Sequence, residues 1–350
     1  MTANTLFPLT ADRPSETELL KFWLAARAAT DEEVIRDSET YRHIWSTWCK
    51  YLQGGQAGGR SRPIPWYEVD AATVVGFLQS GPASRKEKLE SSSNETTKRR
   101  YWRVLDRIYN YAKAHNWVDS NPLVGLTTND KPKSEDTLGT ILDPHVWHAA
   151  EKLLAHPDRF DPISVRNRAI LQILFGLGLA PQEVRALKTS SLLYEASESE
   201  EVNPSKVHVD GHNTLRPRTL TLCPKTSAAI REWLKARPAV ATSKSGQILF
   251  CTPKGPLGSV SLYLLVKSFL KKASDLAQRE EPPQAGPQVI RNSVLVRLLE
   301  DGDHSSPWVA RFAGLKNVKG LWHLRIHCSD EVRATLTNIR DDADCSEAVF

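Results

Sequence analysis

The sequence predicts a mainly α-helical protein with a small β component, organised as two domains. Its 350 residues, 40% hydrophobic and 25% charged, are typical of a globular chain with about two cores. Apolar residues recur every three to four positions through the first third. Short strand-like runs begin only near Val207. We therefore expect a helical first domain and a mixed second domain.

Composition excludes several classes of protein. The five cysteines form no CxxC pair, which argues against a zinc ribbon or a redox couple and fits a reducing cytoplasm. The first twenty residues lack the pattern of a signal peptide. The apolar stretch from Ala169 to Ala180 is too short for a membrane span. We expect a cytoplasmic protein with no membrane partner.

The first domain, residues 1–126, is predicted to be a small bundle of four helices. Ser15 and Glu18 have the spacing of a capping box, which predicts a helix start. Apolar faces at helical spacing predict three more helices, over residues 41–52, 74–78 and 101–112. Asn121-Pro122 closes the domain, and the polar residues 127–138 are predicted to form a linker.

The second domain is assigned to residues 139–334, and residues 335–350 to an acidic C-terminal tail. Helices are predicted over residues 165–179, 226–237, 259–278, 289–300 and 307–313. Strands are predicted over residues 207–209, 219–222 and 248–250.

Charge is segregated along the chain. Residues 85–115 carry a net charge of +5 and residues 203–275 a net charge of +9, whereas residues 12–39 carry −4. Basic tracts on two different domains predict that both domains bind one polyanion, from two sides. The alternative is that long helices carry solvated lysines and arginines without a nucleic-acid partner.

Five segments, in the same order, resemble the tyrosine recombinase (phage integrase) family, including its XerC/XerD-like members. The resemblance spans residues 15–330 and rests on residues 111–122, 168–187, 219–224, 289–302 and 313–318. It implies an N-terminal helical core-binding (SAM-like) domain followed by an α/β tyrosine-recombinase-type catalytic-like domain. It also implies that protomers can exchange the C-terminal tail, residues 335–350. The implied reaction is attack of a tyrosine hydroxyl on a DNA phosphodiester, with arginines holding the phosphoryl oxygens.

Most residues that this resemblance assigns to catalysis are replaced. The first family arginine falls on Ala180, the hairpin lysine near His212 or Asn213, and the first histidine on Gln288. The later histidine or tryptophan falls on Leu315 and the nucleophile on Leu324. His212 is open to two interpretations, a general acid or a solvated turn histidine.

Arg291 is the one catalytic position that is retained. It is interpreted either as a phosphate ligand or as a structural partner of Glu183, which occupies the family's supporting acidic position. No tyrosine follows Tyr263. Since the nucleophile forms the covalent intermediate, we expect no enzymatic activity and no catalytic residue.

Basic and hydroxyl side chains away from the apolar faces are the candidate DNA contacts. The predicted set is Arg42, Lys50, Thr97, Arg100, Arg103, Arg216, Arg218, Lys254, Ser261, Lys267, Lys271 and Arg291. His323 and His327 have a metal-ligand spacing but no third partner of matching spacing, so no metal or other cofactor is predicted.

The favoured hypothesis is a pseudoenzyme that binds double-stranded DNA, in particular an inverted repeat, in the bacterial nucleoid. It is expected to assist an active tyrosine recombinase in DNA recombination or integration of a mobile element, including as a homo-oligomer on DNA. One alternative is a transcriptional repressor that binds DNA with the same two domains. Another is an active recombinase with a displaced nucleophile such as Tyr263 or a serine. A protein-interaction module that binds no DNA is a further class.

Overall fold

The computed structural model describes residues 13–28, 33–54, 63–80, 95–126, 138–156, 161–194, 203–212 and 215–342. The chain forms two compact units, divided between Thr137 and Leu138. Nearly all of the predicted linker lies outside the described residues, as do Asn213 and the last eight residues of the predicted tail. In the described ranges, no helix combines the length and apolarity needed to cross a bilayer.

The first unit contains the four predicted helices. They are α1 (Glu16–Ala28), α2 (Glu33–Leu52), α3 (Ala71–Ser80) and α4 (Glu95–Ala114). The predicted capping box is present, because the Ser15 N–H donates to a Glu18 carboxylate oxygen at 2.9 Å and the Glu18 N–H donates to the Ser15 hydroxyl at 3.3 Å. This reciprocal pair fixes the start of α1.

The core of the first unit is aromatic, as the helical spacing of these residues predicts. The buried Trp48 indole N–H donates to the Tyr109 hydroxyl at 3.2 Å, and that hydroxyl donates to the Trp66 carbonyl at 2.9 Å. Because each of these buried polar atoms has a hydrogen-bond partner, the bonds fix how the aromatic side chains pack against one another. The first unit therefore has a specified core and presents its polar helix faces to solvent.

The second unit combines helices with two small sheets. Its helices are α5 (Pro144–Ala155), α6 (Pro162–Leu177), α7 (Pro181–Ala186), α8 (Pro224–Ala236), α9 (Ser259–Ala277), α10 (Pro287–Glu300), α11 (Ser306–Phe312) and α12 (Asp330–Asp342). A 3-10 segment spans Val318–His327. The strands are β1 (Leu192–Tyr194), β2 (Pro204–Val209), β3 (Arg218–Thr221), β4 (Cys251–Thr252) and β5 (Gly255–Pro256).

The main sheet is antiparallel with the order β1–β2–β3. Val207 on β2 faces Leu220 on β3, and both side chains are buried, which confirms the predicted hairpin. The strand predicted at residues 248–250 is wrong. The carbonyls of Ile248 and Leu249 accept hydrogen bonds from the Arg237 guanidinium at 2.8 Å and the Trp233 indole at 2.9 Å. The backbone of this segment forms an isolated antiparallel bridge between Ile248 and Lys188, and the regular strand β4 begins only at Cys251.

The elements that escaped the sequence prediction include α7, β1, β5 and α12. Helix α12 extends to Asp342 and so occupies part of the segment assigned to a tail. Leu336 on α12 is buried in the same apolar cluster as Leu299 on α10 and Leu321 in the 3-10 segment. Residues 335–342 therefore continue a helix of the second unit. Burial of the Leu336 side chain against α10 and the 3-10 segment stabilises this helix, because most helical stability in proteins comes from tertiary packing.

Candidate functional site

A cavity of about 270 Å³ lies where α7, the β2–β3 loop, α10 and the 3-10 segment meet. We call it the α7–α10 cavity, and it is lined by Ala180, Gln182, His212, Leu215, Gln288, Arg291, Leu295, Leu315, Gly320 and His323. Five of the six positions assigned by the family resemblance therefore surround one space. The sixth, Leu324, is fully buried and follows His323 directly.

Arg291 is held in place by backbone carbonyls. Its side chain donates to the Gly178 and Ala313 carbonyls, each at 2.6 Å, and one guanidinium nitrogen lies 3.9 Å from a Glu183 oxygen. Burial lowers the pKa of Arg291 to about 10, and the Glu183 carboxylate opposes this shift. Arg291 thus carries a positive charge at neutral pH at the edge of the cavity, with two of its donors already used.

Glu183 pairs most closely with Arg218. The Arg218 guanidinium donates to both Glu183 oxygens, at 2.6 and 3.1 Å, and its Nε donates to the Phe312 carbonyl at 2.6 Å. The Glu183 carboxylate also accepts the Ala180 N–H at 2.9 Å, which caps α7. We call Glu183, Arg218 and Arg291 the buried charge network; it connects α7, β3 and α10.

Two of the predicted DNA contacts, Arg218 and Arg291, belong to this network. The side chain of Arg218 is only 9% exposed, and Arg291 is also buried, so neither guanidinium lies on the open surface. The sequence did contain a signal that the Arg218 side chain points inward. Arg218 lies on the same face of β3 as the buried Leu220, whereas Thr219 and Thr221 are exposed on the other face.

Two other polar residues of the α7–α10 cavity, Gln288 and His323, are connected through the side chain of Asn292. The Gln288 amide donates to the Asn292 side-chain carbonyl at 3.0 Å, and the His323 Nε2 lies 3.5 Å from that same oxygen. Burial lowers the pKa of His323, and the positive charge of Arg291 adds to this effect. Among the described lining residues none carries a hydroxyl or a thiol. The described lining therefore offers amide, imidazole and guanidinium groups for hydrogen bonding.

The comparisons with known proteins agree with the family resemblance. The chain is 23% identical over 292 residues to the tyrosine recombinase XerD of Ralstonia nicotianae, a match that covers 83% of each chain. It is 26% identical over 197 residues to the XerC of Alcanivorax borkumensis, covering 56% of this chain and 58% of that one. No protein-family model matches.

Among solved structures, the Tn1549 transposon integrase in complex with a circular intermediate DNA superposes with a TM-score of 0.62 at 12% identity. This match covers 93% of the present chain and 99% of that chain. The chain has the tyrosine recombinase fold.

Most of the other residues that the sequence predicts to contact DNA are exposed. They are Arg42 and Lys50 on α2, Arg100 and Arg103 on α4, Arg216 and Lys254 in loops, and Ser261, Lys267 and Lys271 on α9. Thr97 on α4 is half-buried, and the Lys271 ammonium lies 3.6 Å from a Glu281 oxygen. Arg107, which the sequence analysis missed, continues the exposed α4 row at the helical spacing of Arg100 and Arg103.

His323 and His327, which have the spacing of metal ligands, form hydrogen-bonding contacts within the second unit. The His327 ring bonds to the Gly139 carbonyl, and the His323 ring faces Asn292. In the part of the chain that the structure describes, no group of three histidine, cysteine, aspartate or glutamate side chains is arranged to hold a metal ion.

Proposed function

We propose that this chain binds double-stranded DNA in a sequence-specific manner and does not cleave it. The observation that carries this proposal is the α7–α10 cavity. In the sequence alignment to the tyrosine recombinase family, Ala180, Gln288 and Leu315 of its lining replace the catalytic arginine, the first histidine and the later histidine or tryptophan, and the buried Leu324 replaces the nucleophile.

The chemistry of phosphodiester cleavage supports this proposal. Loss of one preorganised donor to the transition state lowers a rate by about 10²- to 10³-fold. Loss of the nucleophile removes the covalent route itself. Tyr263, the last tyrosine of the chain, is half-exposed on α9 and is not among the residues that line the cavity. A displaced tyrosine therefore has no support from the described geometry.

Exposed positive charge supports DNA as the ligand. Arg100, Arg103 and Arg107 form one exposed row on α4 in the first unit. In the second unit, Lys267 and Lys271 are exposed on α9 and Arg216 is exposed beside the hairpin. Rows of arginine and lysine on helix faces bind backbone phosphates and set the affinity for a duplex. The Tn1549 integrase, which shares the fold, was solved in complex with DNA.

The biological role that we favour is an accessory factor in recombination or transposition of a mobile element. On this proposal the protein binds an inverted repeat, alone or as a homo-oligomer, beside an active tyrosine recombinase in the nucleoid. A transcriptional repressor would use the same surfaces, and the location of the binding site separates the two roles.

Two assays on the purified protein test the proposal. With a nicked suicide duplex that carries the binding site, we expect no covalent protein–DNA adduct; an adduct would overturn the loss of cleavage. Nuclease footprinting over the native locus is expected to protect an inverted repeat at element ends. Protection confined to a promoter would favour repression, and lack of protection anywhere would contradict DNA binding.

A further inference from the structure

A second, larger cavity of about 540 Å³ lies between α5, α6 and α9, away from the residues of the α7–α10 cavity. Its apolar wall includes Leu153, Leu171 and Phe269, and its polar wall includes Arg166, Arg168 and Lys272. Sites for small molecules have volumes of about 300–1,000 Å³ and combine mostly apolar walls with a few placed polar groups. This cavity, which we call the α5–α6–α9 cavity, has both properties.

Arg166 is the unusual residue of this cavity. It is only 8% exposed. Its guanidinium donates to the Cys251 carbonyl at 2.9 Å and to the Asn167 side-chain carbonyl at 2.7 and 3.1 Å. All of these acceptors are neutral. Within the described ranges, no carboxylate lies within ion-pair distance of Arg166, whereas neighbouring Arg168 pairs with Glu232 at 3.1 Å.

A buried cation without a counter-charge is costly. Burial lowers the pKa of Arg166, because the charged guanidinium is removed from water. Buried charges in proteins are normally paired, so an unpaired buried guanidinium is unfavourable for the fold. Arg166 lines an open cavity, so an anion that enters the cavity can supply the missing charge.

We propose that the α5–α6–α9 cavity binds a small amphipathic organic anion. Its carboxylate or phosphate head pairs with Arg166 and Lys272, and its apolar body lies against Leu171, Leu265 and Phe269. The apolar wall distinguishes this ligand from the DNA backbone, because a phosphodiester has no apolar body to bury. The site shares no lining residue with the α7–α10 cavity, and Ser261 is the one residue it shares with the candidate DNA contacts. The proposal does not rest on DNA binding.

Isothermal titration calorimetry of the full chain with three amphiphiles of equal chain length tests the proposal. We expect decanoate to bind at least tenfold more tightly than decanol or decyltrimethylammonium, because only decanoate has a negative head group. Decyl phosphate in parallel shows which of the two anionic heads is preferred. Equal affinity for the three ten-carbon probes, or no binding of either anion, would overturn the proposal.

Single substitutions test whether the anion binds in the α5–α6–α9 cavity. Lys272→Gln, at an exposed position, should weaken decanoate binding several-fold, and Leu264→Asp, at the exposed mouth of the cavity, should abolish it by charge repulsion. Arg166→Met should also abolish binding, with circular dichroism to check folding. Lys225→Gln, an exposed lysine on α8 outside the cavity, is the matched control. Unchanged affinity in both Lys272→Gln and Leu264→Asp would refute the proposed location.

Discussion

Glu183 illustrates how much of the second unit depends on one carboxylate. Its two oxygens receive the Arg218 guanidinium, one of them also accepts the Ala180 N–H, and Arg291 lies within 3.9 Å. The side chain is completely buried. Two buried positive charges therefore share one buried negative charge, and removal of that charge leaves both arginines without compensation.

For Glu183→Gln we predict a loss of about 3–5 kcal/mol in the free energy of unfolding, the usual cost of breaking a buried ion pair. Urea denaturation of the purified protein measures it. Glu232→Gln is the matched control, because it removes a half-exposed partner of Arg168, and such pairs contribute about 0–1 kcal/mol. Similar losses in the two variants would contradict the assigned role of Glu183.

His323 predicts a pH dependence of stability. Burial lowers its folded-state pKa below the ordinary value of 6.5. Below that pH the unfolded chain binds a proton that the folded chain does not, so the free energy of unfolding falls as the pH decreases from about 6.5 through the folded pKa. His323→Gln should flatten this dependence in urea denaturation at a series of pH values. His145→Gln, at an exposed position of α5, should leave it unchanged.

The sequence predicted part of this arrangement. The pairing of Arg291 with Glu183 was one of its two hypotheses, and the structure gives Arg291 backbone carbonyls as its principal acceptors. Arg218 was missed as the main partner because it lies 35 positions from Glu183 along the chain. Only the two-residue alternation of β3 indicates that it points inward.

At the scale of elements, prediction succeeded where a local pattern suffices. The start of α1 follows from Ser15 and Glu18, and the faces of α2 and α4 follow from their apolar spacing. It failed where tertiary contacts decide. The carbonyls near Ile248 are bonded by side chains of α8 and the turn after it, and α12 depends on burial of Leu336 in a distant cluster.

The capping box gives a test at this scale. Ser15→Ala removes the hydroxyl that accepts the Glu18 N–H and should destabilise the protein by about 0.5–2 kcal/mol, the usual effect of losing such a cap. Thermal unfolding followed by circular dichroism measures the change. Thr17→Ala, at an exposed position of the first turn, is the control; an equal effect there would show that the hydroxyl of Ser15 has no special role.

For the whole molecule, the proposed function predicts a steep dependence of DNA affinity on salt. The logarithm of the binding constant should fall linearly with the logarithm of salt concentration, by about 0.9 for each phosphate contacted on B-form DNA. Arg100→Ala in the first unit and Arg216→Ala in the second should each weaken binding and reduce the slope by about one. Fluorescence anisotropy with a labelled duplex measures both quantities.

Lys21→Gln, in the acidic segment that includes α1, is the control for this experiment and should leave the slope unchanged. An unchanged slope in both arginine variants would show that the assigned surfaces do not contact phosphates. A change in only one variant would restrict DNA binding to one unit.

The buried charge network has an evolutionary consequence. Glu183, Arg218 and Arg291 connect α7, β3 and α10. Selection for folding therefore acts on Arg291, the one family catalytic position that is retained, as well as on Glu183 and Arg218. A lineage in which one of these three side chains is replaced must compensate a buried charge elsewhere in the second unit, whatever happens to the other residues that line the cavity.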